Sequence, residues 1–156
     1  MSQAGFTMSA WQSMIKWPGG KWLFSKLVCF KAPYFASIRP RFVALRPGYC
    51  EVQIKKRRSV LNHIGTVHAI AMCNMAELAG GTMTEVSIPA THRWIPKGMT
   101  VEYLGKAQTN LRALAELVPI PAFDGAIELP VTVNVFDASD KLVFRAVITM
   151  WVSPKR

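Results

Sequence analysis

Between Asn62 and Glu77 the chain reads Asn-His-Ile-Gly-Thr-Val-His-Ala-Ile-Ala-Met-Cys-Asn-Met-Ala-Glu, a polar loop followed by an apolar segment interrupted by one acid. A carboxylate set alone in an apolar helix is either a costly group that is tolerated or one that is used. The chemistry these residue types suit is attack on an activated carbonyl. Free amides at a helix start near Ala69 and Ile70, reinforced by the helix dipole, would hold the oxyanion formed when an ester or thioester is attacked. Glu77 supplies a carboxylate able to act as general base on water or to attack directly, and an apolar setting would favour its neutral form. Asn62 offers a side-chain amide to orient the carbonyl or the water. The competing readings are structural: Glu77 as a hydrogen-bonded acid, Asn62 as a turn residue, His68 as a histidine bonded to backbone.

Geometry constrains the reactive reading. Ala69 and Glu77 lie eight residues apart, which is about 12 Å along a helix axis. One helix cannot bring both to a single carbonyl, whereas two helices related by a twofold can. The active reading therefore calls for a homodimer or a homotetramer.

The elements that must position these residues follow from periodicity. A helix is expected from about Val67 to Met83, with Gly80-Gly81 weakening its last turn. Before it, Arg46-Pro47-Gly48-Tyr49 reads as a turn between strands at about 38–46 and 49–58, since Cys50, Val52 and Ile54 alternate with Glu51, Gln53 and Lys55. After it, strands are expected at 92–108, with a kink at Pro96-Lys97-Gly98, and at 126–137 and 141–153. Segment 109–118 reads as a strand in this series, although Leu111, Leu114, Ala115 and Val118 also match helical spacing. A lone apolar helix between two and four antiparallel strands predicts an α+β fold in which a curved sheet wraps a central helix. A sheet of that kind often completes its burial against another subunit.

Composition bounds the rest. A chain of 156 residues, 51% hydrophobic, fits one domain with a real core. The best candidate for a membrane span, 66–83, contains His68, Asn74 and Glu77, and the N-terminus lacks the pattern of a secretory signal, so a cytoplasmic protein is expected. Cys29, Cys50 and Cys73 show no metal or redox spacing and read as buried small apolar side chains. A zinc site from His63, His68 and Cys73 lacks a ligand spacing, and no metal is expected. The formal net charge of +10 fits nucleic acid, anionic lipid or a phosphorylated cofactor. Its densest run, Lys55-Lys56-Arg57-Arg58, has no interleaved aromatics, which argues against nucleic acid. The first 36 residues are rich in tryptophan, phenylalanine and long aliphatics punctuated by lysines, with Pro18-Gly19-Gly20 breaking two short helices. They read as an extension packed on its own domain, with a membrane-surface segment as the alternative.

The spacing of Asn62, Gly65, His68 and Glu77, with the strand-helix-strand order, resembles hotdog-fold acyl-CoA thioesterases of the 4-hydroxybenzoyl-CoA and phenylacetate-pathway type, closest to a branch described only as a domain of unknown function. The resemblance covers about residues 36–153, leaving 1–36 as a helical addition to a hotdog domain at 37–156. It places Asn62 six residues before the His of a His-Gly-Gly motif, at His68, and the catalytic acid nine residues after it, at Glu77. It implies that the amide of Ala69 contacts the thioester oxygen, with Ile70, His68 and Gly65 around it. It also implies that the substrate is an acyl-CoA or acyl carrier protein thioester, with no cofactor, and that Lys55, Lys56, Arg57 and Arg58 meet the CoA phosphates. Two departures stand out: His68-Ala69-Ile70 replaces His-Gly-Gly, and Gly81 stands where some members carry a water-positioning hydroxyl. The rivals are a non-catalytic acyl-CoA or lipid-binding protein, a dehydratase pairing His63 with Glu77, and a basic nucleic-acid binder.

Overall fold

A computed structural model describes residues 3–156, with side chains from Gly5 onward. Two helices, α1 (Gln3–Met14) and α2 (Gly20–Lys31), and a 3-10 turn (Pro33–Ile38) precede a hairpin of β1 (Arg41–Arg46) and β2 (Tyr49–Ile54). A long helix, α3 (Ala69–Ser87), follows. Then come β3 (His92–Tyr103), β4 (Leu111–Glu116), β5 (Ile127–Phe136) and β6 (Leu142–Pro154). The six strands form one antiparallel sheet in the order β1-β2-β4-β5-β6-β3, wrapped around α3.

The core lies between α3 and the concave face of the sheet. Met72, Met75, Ala76, Ala79 and Met83 are buried on the helix, and Val52, Ala113, Ala115, Val131, Val133 and Ile148 face it from the strands. Segment 109–118 is a strand: Leu111, Ala113 and Ala115 are buried while their neighbours reach outward, the period of two that a half-covered sheet requires.

Three boundaries differ from expectation. Helix α3 runs to Ser87, a turn past the end expected at about Met83, and Gly80-Gly81 does not interrupt it. A side chain at Gly80 would press against Ile148, Val133 and Val131 at 3.1–3.4 Å, and one at Gly81 would come within 2.8 Å of Trp94. The glycines let the helix lie close to the sheet, and that packing outweighs the roughly 1 kcal/mol each loses against alanine. Strand β2 stops at Ile54, and the Lys56 amide donates to Asn110 Oδ1 (2.9 Å) instead of extending a ladder. Strand β3 stops at Tyr103, and its expected kink is a register shift between Pro96 and Gly98.

The N-terminal helices seat on the first strand. Trp11, Phe24 and Phe42, all buried, meet edge to face with centroids 5.1 Å apart in each pair. Ser25 Oγ accepts the Phe42 amide (2.9 Å) and donates to the Lys21 carbonyl, and Lys21 Nζ donates to the Val43 carbonyl (2.7 Å). Helix α2 thereby covers the outer edge of β1. Among the described residues no helix is long and apolar enough to cross a membrane.

Candidate active site

The loop before α3 is built around Asn62. Its Oδ1 accepts the amides of Ile64 and Thr66 (3.1 Å each), its Nδ2 donates to Thr66 Oγ1 (2.8 Å), and its own amide donates to the Thr66 carbonyl. Gly65 sits in this turn at φ 77, a conformation that favours glycine. The turn is fastened from outside as well: the Val67 amide donates to Ala107 and the His68 amide to Val60, both at 2.8 Å. Asn62 is therefore first a turn organiser that fixes where α3 begins. One Nδ2 hydrogen remains to it for a substrate or water.

His68 is the N-cap of α3, and its Nδ1 accepts the Ile70 amide at 3.0 Å. This corrects the expected pair of oxyanion donors: the Ile70 amide is already engaged, because the imidazole nitrogen does what a serine or aspartate does at other helix starts. The Ala69 amide has no hydrogen-bond partner among the described residues. The Ile70 side chain, 55% exposed, projects beside it where the related motif has bare glycine. With Nδ1 accepting, a neutral His68 carries its proton on Nε2.

Glu77 lies two turns further along the same helix and is exposed, not enclosed by apolar side chains as expected. The helix period explains this: the apolar residues around it in sequence face the sheet, while Ile70, Cys73 and Glu77 share the outward stripe. Glu77 lines a recess of about 240 Å³ with Pro96, Lys97, Gly98 and Met99 of β3 and with Ile148. Lys97 is ion-paired with Glu128, and no hydrogen bond or ion pair reaches Glu77 among the described residues. Asn62, Gly65, His68, Ala69 and Ile70 are thus brought together at one end of the helix. Glu77 stands apart from them, about 12 Å along the axis.

Sequence reasoning missed the roles of three residues on or against α3 to either side of Glu77. Cys73 is half-exposed, against the expectation of a buried thiol, and its Sγ lies 3.7 Å from the Tyr103 hydroxyl. That hydrogen bond, with some burial and the thiol's charge, pushes the Tyr103 phenol above its ordinary range. Cys29 is also half-buried; Cys50 alone is fully buried, and burial pushes its thiol up. Past the acid, Trp94 lies over Gly81 and donates from Nε1 to Glu85 Oε2 at 2.6 Å. An indole fills the place where a water-positioning hydroxyl would stand. The signal for Cys73 was present in its spacing between Ile70 and Glu77; those for Tyr103 and Trp94 were not, because strand β3 delivers them.

The basic run divides. Lys55 and Arg57 line a cleft of about 790 Å³ beside α2, and Lys56 and Arg58 do not. Arg57 donates to the Ser37 carbonyl (2.6 Å), and burial together with Arg39 holds its guanidinium below the usual range. The cleft shares no lining residue with the Glu77 recess. His63 is exposed on the loop, and no three His, Cys, Asp or Glu side chains among the described residues converge to hold a metal.

A family model described as a domain of unknown function, DUF4442, matches residues 20–152, which takes in α2 as well as the sheet. No curated protein matches the chain. Among solved structures, the crystal structure of genomics APC5556 is 55% identical, with a TM-score of 0.84 over 96% of this chain and 99% of that one. PA5026 from Pseudomonas aeruginosa, described as a protein of unknown function and probable thioesterase, is 24% identical, with a TM-score of 0.76 over 83% and 92%. A thioesterase family protein from Silicibacter pomeroyi is 16% identical, with a TM-score of 0.71 over 84% and 96%. The fold they share with this chain is the hotdog, a sheet curled around one helix.

Proposed function

The chain belongs to the DUF4442 family and folds as a hotdog domain, and from that premise we propose that it hydrolyses an acyl thioester at a site shared between two copies. The observation that carries this reading is Glu77: an exposed carboxylate over a recess beside β3, with no partner among the described residues, while the outer edge of β3 pairs with no strand among them. A second copy pairing there would bring its own α3 start toward this recess, which the 12 Å separation within one helix requires.

In this arrangement the thioester carbonyl points at the partner's Ala69 amide, and the free Nδ2 hydrogen of Asn62 orients it or the attacking water. Glu77 takes a proton from water as the hydroxyl oxygen bonds to the carbonyl carbon. The tetrahedral intermediate collapses, the carbon–sulfur bond breaks, and the thiolate leaves with the proton that Glu77 held. Direct attack by the carboxylate is the other route open to the same residue. Lys55 and Arg57 share no recess with Glu77 in one chain, so as contacts to CoA phosphates they would serve the partner's site.

Glu77→Gln is expected to lower turnover of acyl-CoA substrates by about 100-fold or more while leaving the folded state intact, since the side chain is exposed. Steady-state hydrolysis over a range of acyl lengths checks it, and full turnover by the variant would refute the assignment. A second reading is favoured by the His68 cap on Ile70, which removes one oxyanion donor: the chain would bind acyl thioesters without hydrolysing them. Calorimetric binding measured apart from turnover separates the two.

A further inference from the structure

Helix α2 is apolar on two opposite faces, and only one of them is covered. Gly20, Phe24 and Ser25 are buried against α1 and β1. On the other side Trp22 (59% exposed), Leu23, Leu27 and Phe30 (87% exposed) share the solvent-facing arc, and Tyr34 and Trp17 extend it at either end. A helix apolar all round is stable where both sides are buried. The uncovered arc is also cationic. No Asp or Glu precedes Glu51, while Lys16, Lys26 and Lys31 stand exposed in or beside α2. Lys26 Nζ lies 5.6 Å from the centre of the Trp22 ring.

Trp22 and Phe30 also form one wall of the 790 Å³ cleft. Six cations line it: Lys26, Arg39, Arg41, Lys55, Arg57 and Arg112. Its two acids are Asp137 and Asp140, of which Asp140 is held by Arg112 at 2.6 Å. Arg57 Nε is buried there with no hydrogen-bond partner among the described residues. An apolar ridge beside a concave cationic wall is the arrangement that meets acyl chains and anionic headgroups together.

We propose that the outer face of α2 and the adjoining cleft dock this protein on the surface of an anionic lipid bilayer, the aromatic and leucine side chains entering the headgroup boundary and the cleft taking lipid phosphates. Charge selects this occupant over a second copy, because a twofold contact would press two strongly cationic faces together, the cleft's six cations outnumbering its two acids in each. It also selects it over a nucleic acid strand: Trp22 and Phe30 suit base stacking, but Leu23 and Leu27 have no use there. The inference does not require the thioesterase reading, but lipid phosphates in the cleft would compete with CoA phosphates for Lys55 and Arg57.

Co-sedimentation of the full chain with phosphatidylcholine vesicles, with and without phosphatidylglycerol, tests it at low and high salt. Binding is expected to favour the anionic vesicles by about tenfold or more and to weaken with salt. Lys26→Glu with Lys31→Glu should abolish that preference, and Leu27→Ser with Phe30→Ser should lower binding by about tenfold or more; unchanged thermal unfolding shows that both variants fold, and turnover of an acyl-N-acetylcysteamine thioester, which has no phosphates for the cleft to hold, equal to the parent's separates this proposal from that of the active site. Equal binding to neutral vesicles, or retained binding by the Leu27/Phe30 variant, overturns it. So does failure of the parent to bind vesicles, whether it instead binds a single-stranded oligonucleotide or the Leu27/Phe30 substitutions instead reduce its oligomeric size.

Discussion

The two edges of the sheet end differently. At β1 the backbone is met by side chains from α2: Ser25 takes the Phe42 amide, Lys21 reaches the Val43 carbonyl, and Phe24 packs edge to face on the ring of Phe42 with Trp11 of α1 behind it. At β3 the outer edge of a twelve-residue strand pairs with no strand among the described residues, and Ile95, Met99 and Tyr103 are exposed along it. An edge covered by its own chain is a finished structural element, while an edge left long and apolar is a place for another chain. The candidate acid lies beside the second kind. The contrast suggests that the N-terminal helices stabilise the protomer and that β3 serves function.

The strongest test of that division is stability. Phe24→Ala at the covered edge should destabilise the fold by about 3–5 kcal/mol, because a buried ring and its two edge-to-face partners are lost together. Ile95→Ala at the open edge should stay within about 0.5 kcal/mol. Urea unfolding of both variants measures the difference, and similar losses would mean that the two edges do not have separate roles. Next in size is assembly. Met99→Asp should weaken self-association by about tenfold, since it sets like charges facing each other across a paired β3 edge, and sedimentation at several concentrations would show it. An unchanged oligomer would move the subunit contact away from β3.

The smallest effect expected is spectroscopic. The hydrogen bond with Cys73 is the largest cause holding the Tyr103 phenol above its ordinary range. Cys73→Ala should therefore let Tyr103 ionise at lower pH, which ultraviolet titration against the parent protein detects. The sign follows for stability too. A raised phenol contributes stability below its unfolded-state value and loses it as pH climbs through the folded one, so Cys73→Ala should cost stability at neutral pH and the two proteins should converge in alkali. No change in the titration would mean that the thiol and phenol do not interact.

Much of the fold was legible because one period dominated each segment. Leu129, Val131, Val133 and Val135 alternate without interruption and form β5 as expected, and the break at Pro18-Gly19-Gly20 separates α1 from α2. The C-terminus of α3 was not legible, since Gly80-Gly81 signals a stop locally and only the sheet and Trp94 turn it into a packing surface. At the candidate site, sequence spacing named the candidates but not the state of each group. His68 does bond to backbone, as its structural reading had it, but histidine is not among the usual helix caps, so the string did not single out the Ile70 amide as its partner. The 790 Å³ cleft was invisible for another reason: it assembles Lys26, Arg39, Arg57 and Arg112 from four separate segments.

The contact between Trp94 and Gly81 also limits how this site can change. A serine at position 81 would set a hydroxyl four residues past Glu77, but its Cβ would arrive 2.8 Å from the indole. Trp94 would have to shrink first, and that change would strip Glu85 of its donor. The three positions therefore behave as a lock with a fixed opening order, in which the first substitution carries the loss and only the second can bring a gain. A laboratory search that changes one residue at a time should stall at this point, whereas libraries varying 81, 85 and 94 together should not.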